Sequence, residues 1–324
     1  GVQAGEGVAP VTGRPVHTYS IVARDPHSGQ LGVAVQSHWF SVGSLVPWAR
    51  AGVGAIATQS FIEVRYGESG LDLMASGLSA TRTLDALLAA DANPGVRQVA
   101  MIDASGEVAV HTGENCIEYA GHLTGNDFSV QSNLMISPGV QQAMADAFQQ
   151  ATGTLAERML AALEAAQAVG GDLRGKQSAA ILVVDGTAGS RPRDGRLVDL
   201  HVEDSPQPLV ELRRLLRLHT AYAHMNQGDH ALESGDVDAA LHEYGQAEGL
   251  QPDNLDMKFW HAVSLVNAGR VDAAMPVFAG IFRDDARWRT LVQRLVQAGL
   301  LDADAAVLAR INTAGVKQEG RIND

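Results

Sequence analysis

Two hydroxyl side chains two residues apart, Thr18 and Ser20, open a run of small and β-branched residues, Ile21-Val22-Ala23. At that spacing both hydroxyls lie on one face of a strand. A hydroxyl becomes a nucleophile only when a base takes its proton, and no base for Ser20 is identifiable nearby in sequence. Asn133, at the end of Gln131-Ser132-Asn133, has an amide able to donate to a developing oxyanion, although the commoner task of Asn is to bond its own backbone in a turn. Lys176, in Arg174-Gly175-Lys176-Gln177-Ser178, sits on a Gly-flanked basic loop that either binds a carboxylate or is simply solvated. No Gly-rich cradle stands between a strand and a helix there, so this is not a phosphate loop. The 11 histidines form no ligand motif such as His-Glu-x-x-His, and neither a metal nor a cofactor is expected.

The elements that must position these groups are legible as changes of period. His17 to Ser37 reads as a strand pair joined by Asp25-Pro26-His27-Ser28-Gly29, Ser41 to Gly52 as a surface loop anchored by Trp48, and Val53 to Ser60 as a third strand. From Ser69, apolar residues recur at helical spacing in two helices separated by Gly77-Leu78-Ser79, with Ser79 as N-cap, and Asn93-Pro94-Gly95 ends the second. Arg97 to Asp103 and Glu107 to Thr112 alternate as strands across Ala104-Ser105-Gly106, and Phe128 to Asn133 is another short strand. Pro138 to Gln150 and Thr154 to Val169 read as a helical hairpin, with Pro138 at a first-turn position. Ser178 to Asp185 is a continuous apolar run, a buried strand, with Leu197 to Val202 as its partner. The pattern alone gives an α+β class.

Several of these stretches resemble a known family. They are Thr18 to Asp25, Leu31 to Ser37, Val46 to Ala55, Tyr66-Gly67 with Gly70-Leu71-Asp72-Leu73, and Gly175 to Ala180. Together they resemble the bacterial proteins grouped as domain of unknown function 1028, placed among the N-terminal-nucleophile (Ntn) hydrolases. The resemblance implies a four-layer αββα sandwich over residues 17–205, helices outside and two antiparallel sheets within. It also implies Thr18 as nucleophile, with its own α-amine as base. Residues 1–17 precede it, and while they are attached its nitrogen is an amide of negligible basicity, so the chemistry requires their removal. The Ntn pattern places a Lys or Arg near the third strand, where Arg50 is the cation, and an acid at the end of the second, where this chain has Gln36, Ser37 and His38. That departure points to a variant in which Ser37, His38 and Gln59 line the cleft mouth and bind substrate or an oxyanion. The plain alternatives are a strand threonine that needs no catalytic account and a partly buried loop histidine beside Trp39 and Phe40. The implied reaction is hydrolysis of an amide bond in a small or peptide-like substrate, by attack from Thr18 if the preceding residues are removed or from Ser20 if they are not. The rival is a fold that has lost catalysis and serves as a binding or assembly module.

Composition sets the outer limits. At 324 residues two domains are expected. A net charge of −13 opposes nucleic acid and anionic lipid as partners, and no apolar run is long enough to span a bilayer. Cys116 is the only cysteine; its acidic surroundings in Gly113-Glu114-Asn115-Cys116-Ile117-Glu118 are expected to raise its pKa. Residues 1–16, rich in Gly and Pro, read as a flexible arm, either a vector remnant or the start of an exported mature chain. After Ser205-Pro206-Gln207-Pro208 the pattern is helical: a linker helix over 206–218, helical repeats over 219–310 and a frayed tail over 311–324. Gly235-Asp236-Val237-Asp238-Ala239-Ala240 recurs as Gly269-Arg270-Val271-Asp272-Ala273-Ala274, a displacement of 34 residues that is the tetratricopeptide period. About two units fit, capped by a helix carrying Leu291, Leu295, Leu300 and Leu301. They leave a groove lined by Tyr222, Asn226, Trp260 and Asn267 for a protein partner, with Trp260 assigned to repeat core. A homo-oligomer is the expected assembly.

Overall fold

The computed structural model of the protein describes residues 15, 16, 18–189 and 195–316. Most of the expected arm, His17 and most of the expected tail lie outside these residues. The chain divides into two compact units, 1–216 and 217–324.

In the first unit, β1 (Thr18–Arg24) and β2 (Leu31–Ser37) form the expected hairpin, with Thr18 opposite Ser37. They lie inside a six-stranded antiparallel sheet with β7 (Gly121–Gly125), β8 (Phe128–Ser132), β9 (Ser178–Val184) and β10 (Arg196–Val202), in the order β10-β9-β2-β1-β8-β7. A four-stranded sheet contains β3 (Pro47–Arg50), β4 (Gly54–Ser60), β5 (Arg97–Asp103) and β6 (Val108–Thr112), paired in sequence order.

Strand alternation sorts the apolar side chains into three cores. Tyr19, Ile21 and Ala23 of β1 pack with α3 (Val140–Gln150) and α4 (Leu155–Ala168) on the outer face of the larger sheet. Val22, Val33 and Val35 meet Ala55, Ala57, Ala100 and Ile102 between the sheets. Ile56, Val99 and Met101 pack with α1 (Arg65–Ala75) and α2 (Ala80–Ala90) on the outer face of the smaller sheet. The layers are thus helix pair, sheet, sheet, helix pair. Local chemistry fixes the helix starts: Ser79 caps α2 as expected, and Thr154 with Glu157 forms a capping box at α4. At Gly67 any Cβ would stand about 2.2 Å from the Trp48 indole, so only glycine lets α1 lie that close to β3.

Several expectations give way. The segment 41–52 contains a 3₁₀ turn (Val42–Ser44) and β3; Pro47 is tolerated because it is the first residue of an edge strand. Helix α1 begins at Arg65, ahead of Ser69, and α3 begins after Pro138, with Gly139 left-handed at its N-cap (φ 93°). Strand β7, unpredicted, has glycine at both ends and is defined by its pairing with β8.

The expected linker helix does not stop: α5 runs unbroken from Pro208 to Glu233. Its first turns bury Leu209, Leu212 and Leu216 in the α3/α4 core. The second unit continues with α6 (Val237–Leu250), α7 (Leu255–Asn267), α8 (Val271–Asp284), α9 (Trp288–Gln297) and α10 (Ala305–Thr313). The repeated hexapeptide marks two like turns, with Gly235 at φ 81° and Gly269 at φ 75°, each followed by a helix start. In place of one capping helix there is a further pair, α9 and α10, and Leu301 is buried between them. Phe259 is fully buried, while Trp260 is 36% exposed and bonds Asp256. The core position is therefore Phe259, and Trp260 lies at the surface. Asn267 bonds Leu300 O and Asp302 N, fastening the loop after α9 rather than lining a groove.

Candidate active site

One end of the sandwich gathers the start of β1 and β9 with the ends of β2, β4, β6 and β8. Here the inward-facing positions change from apolar to polar. The Ser20 hydroxyl donates to Gln59 Oε1 (2.7 Å) and accepts from Gln131 Nε2 (2.7 Å). Gln59 Nε2 donates to Gln98 Oε1 (2.7 Å), which also accepts from Asn133 Nδ2 (2.8 Å). Gln98 Nε2 in turn addresses Thr112 Oγ1, Ser132 O and Gly121 O at 3.0, 3.0 and 3.1 Å. Ser20, Gln59, Gln98, Gln131 and Asn133 are all fully buried, so these amides satisfy one another, as burial demands.

Thr18 lies beside this network. Its hydroxyl contacts Ser37 Oγ and Val16 O, both at 3.1 Å, and its carbonyl accepts from the Asn133 N–H (3.1 Å). The structure thus brings together Thr18, Ser20, Ser37, Gln59 and Asn133. Both partners of the Ser20 hydroxyl are glutamine amides, neither of which is a base at neutral pH.

Three expected residues take no part in this network. Arg50, at the far end of β4's partner strand and opposite Gly54, forms an ion pair with Asp72 of α1 (2.9 Å). The six positions from Gly54 to Ser60 put that end roughly 20 Å from Ser60, so Arg50 does not tune Thr18. His38 donates its backbone N–H to Asp172 (3.4 Å), and its Nδ1 is buried with no partner among the described residues. Asp172 is held by Arg174 at 2.8 Å. Lys176 bonds Gln207 (3.3 Å) on a separate cavity of about 270 Å³ with Glu164 and Gln167.

Sequence reasoning passed over Gln98 and Gln131 as site residues, and over the contacts that hold the start of β5. Arg97, next to Gln98, donates to Asp91 (2.7 Å) and to Phe61 O, and Tyr66 donates to the same carboxylate (2.9 Å). Burial raises the Asp91 pKa, but the bonds from Arg97, the Asn93 N–H and Tyr66 outweigh it and hold the carboxyl below its ordinary value. The Tyr66 hydroxyl is pushed up, by burial first and then by its bond to Asp91. Cys116 lies within 3.7 Å of Ser60 Oγ. Its thiol is raised as expected, but by burial rather than by acidic neighbours. Exposed apolar side chains ring the same end: Phe40, Val64, Ile117, Tyr119, Ile136 and Leu173, on the loops after β2, β4, β6 and β8 and before β9. Among the described residues, no group of three or more His, Cys, Asp or Glu converges to hold a metal ion, and no helix is long and apolar enough to cross a membrane.

Comparison with known proteins agrees with this division of the chain. Residues 231–298 match the tetratricopeptide repeat. No curated protein matches the chain. A solved structure from Silicibacter pomeroyi, described as belonging to family DUF1028, superposes with a TM-score of 0.57 at 28% identity, covering 63% of this chain and 89% of its own. Residues 18–212, more than half of the sequence, match the family of unknown function DUF1028. The chain belongs to that family and carries tetratricopeptide-like repeats behind it.

Proposed function

We propose that the first unit is an amide hydrolase of the N-terminal-nucleophile type, latent while residues precede Thr18. The observation that carries this is the position of Thr18: first residue of a central strand, at the sandwich end, with its hydroxyl 3.1 Å from Ser37 Oγ and its carbonyl accepting from the Asn133 backbone N–H. Once the bond before Thr18 is cut, its amine takes the proton of Thr18 Oγ as that oxygen attacks a substrate carbonyl carbon. Asn133 donates to the oxyanion. Collapse expels the substrate amine, which receives the proton, and leaves an acyl ester on Thr18. Water, deprotonated by the same amine, then releases the acid and restores Thr18. Ser37 and Gln59 orient the substrate from the mouth. The test is labelling by a hydroxyl-directed electrophile of protein cut before Thr18: Thr18→Ser should label and Thr18→Ala should not. Equal labelling of Thr18→Ala removes Thr18 from the mechanism.

A second reading has its own support. The Thr18 nitrogen is a backbone amide, Thr18 is fully buried, and among the described residues the Ser20 hydroxyl bonds two glutamine amides. These suit a silent sandwich whose tetratricopeptide-like unit recruits a protein partner through surface side chains such as Tyr222 and Trp260, which are 42% and 36% exposed.

A further inference from the structure

Val16, two residues before the candidate nucleophile, is held as a peptide ligand is held in a strand-addition site. Its N–H donates to Ser60 O (2.7 Å), and its carbonyl accepts from Ser60 N–H (2.9 Å). The same carbonyl lies 3.1 Å from Thr18 Oγ1. The side chain is 3% exposed and joins the apolar core between the sheets. Ser60 presents both backbone groups from a left-handed conformation (φ 68°), unfavourable for a residue with a Cβ and characteristic of ligand clamps. We propose that the Val16 slot is a substrate subsite, one that takes an extended peptide-like ligand presenting a branched aliphatic side chain, with Ser60 pairing to its main chain. The inference rests on the Thr18 end being the active site. In the uncleaved chain Val16 fills this slot itself. The exposed apolar ring of Phe40, Ile136 and Leu173 at the same end suits a ligand that continues outward with apolar character.

The test uses the full chain carrying Val16→Gly, which keeps the backbone groups but removes the buried side chain. Amide exchange at Ser60 should accelerate by roughly tenfold or more, the equivalent of losing one buried valine. Adding acetyl-Pro-Val-N-methylamide at millimolar concentration should restore protection, and acetyl-Pro-Asp-N-methylamide should not. Val16→Ala, with circular dichroism on both variants, serves if Val16→Gly fails to fold. Unchanged exchange at Ser60, or equal action of the two peptides, overturns the subsite. Protection restored by the valine peptide alongside absent labelling of Thr18 would sink the hydrolase reading and leave the slot as a peptide-binding site without catalysis.

Discussion

Gln98 is the residue on which the inter-sheet network turns, and Gln98→Leu removes its hydrogen bonds while keeping its volume. Two buried donors, Gln59 Nε2 and Asn133 Nδ2, lose the Gln98 Oε1 acceptor, and Thr112 Oγ1, Ser132 O and Gly121 O lose a donor. Each buried donor left unsatisfied costs about 1–3 kcal/mol, and under-satisfied carbonyls cost less. The two donors therefore total about 2–6 kcal/mol, offset by about 1–2 kcal/mol from better burial of leucine. Taking the middle of each range, about 4 less about 1.5 kcal/mol, the expected loss is about 2–3 kcal/mol, a large part of a typical domain stability of about 5–15 kcal/mol. Hydrogen exchange resolved over 54–60, 97–103 and 128–133 reads this directly, because all three strands share the network. Gln98→Glu adds a sign test. A buried carboxyl facing carbonyls has a folded pKa above the unfolded value of about 4.3. Its deficit should therefore be smallest below that unfolded value and grow as pH rises toward the folded one. A Gln98→Leu loss under about 0.5 kcal/mol, below the range for one orphaned donor, would refute the view that these amides depend on one another.

The Arg97–Asp91 pair is nearly buried, with side-chain exposures of 11% and 4%, so Asp91→Asn should destabilise the first unit by about 3 kcal/mol at neutral pH. Because the Asp91 pKa is lowered on folding, that contribution is present above the unfolded value of about 3.9 and fades as pH falls through the folded one. Thermal melts of parent and Asp91→Asn should therefore converge in acid; a constant gap would argue against the pair. Truncation after residue 205 should yield an unstable sandwich, since it removes Leu209, Leu212 and Leu216 from the α3/α4 core, each worth about 1.5–3 kcal/mol. A chain ending at 220 should hold together, and equal melting of the two truncations would disprove this. Phe259→Ala should cost about 3–5 kcal/mol in the repeat unit. Trp260→Ala, at the surface, should stay within about 1 kcal/mol while abolishing capture of any protein that binds the repeats.

The strands were legible wherever their alternation was clean, as in β1, β2 and β9, because a buried face leaves a period of two in the sequence. β7 left no such trace: its glycines and exposed central residues give no apolar period, and its existence depends on β8. The continuity of α5 was hidden for a related reason, since its apolar face serves one core up to Leu216 and another from Ala221. Of the site, Thr18, Ser20, Ser37, Gln59 and Asn133 were legible as polar residues at strand ends. Gln98 carries the same signal, a glutamine one residue into a strand on the inward face, but the apolar run that follows it in β5 dominates the pattern. Arg50 was misplaced because nearness to a strand in sequence does not say at which end of the strand a residue falls. Nothing in Arg14-Pro15-Val16 signals the pairing of Val16 with Ser60.

Freeing its nitrogen should make Thr18 a nucleophile. Intact-mass spectrometry of the protein from its native source, before and after a hydroxyl-directed electrophile, measures both the freed nitrogen and the nucleophile at once. The expected result is a chain beginning at Thr18 that gains one adduct, localised to Thr18. A chain that retains residues before Thr18, or one that begins at Thr18 and gains no adduct, would contradict it.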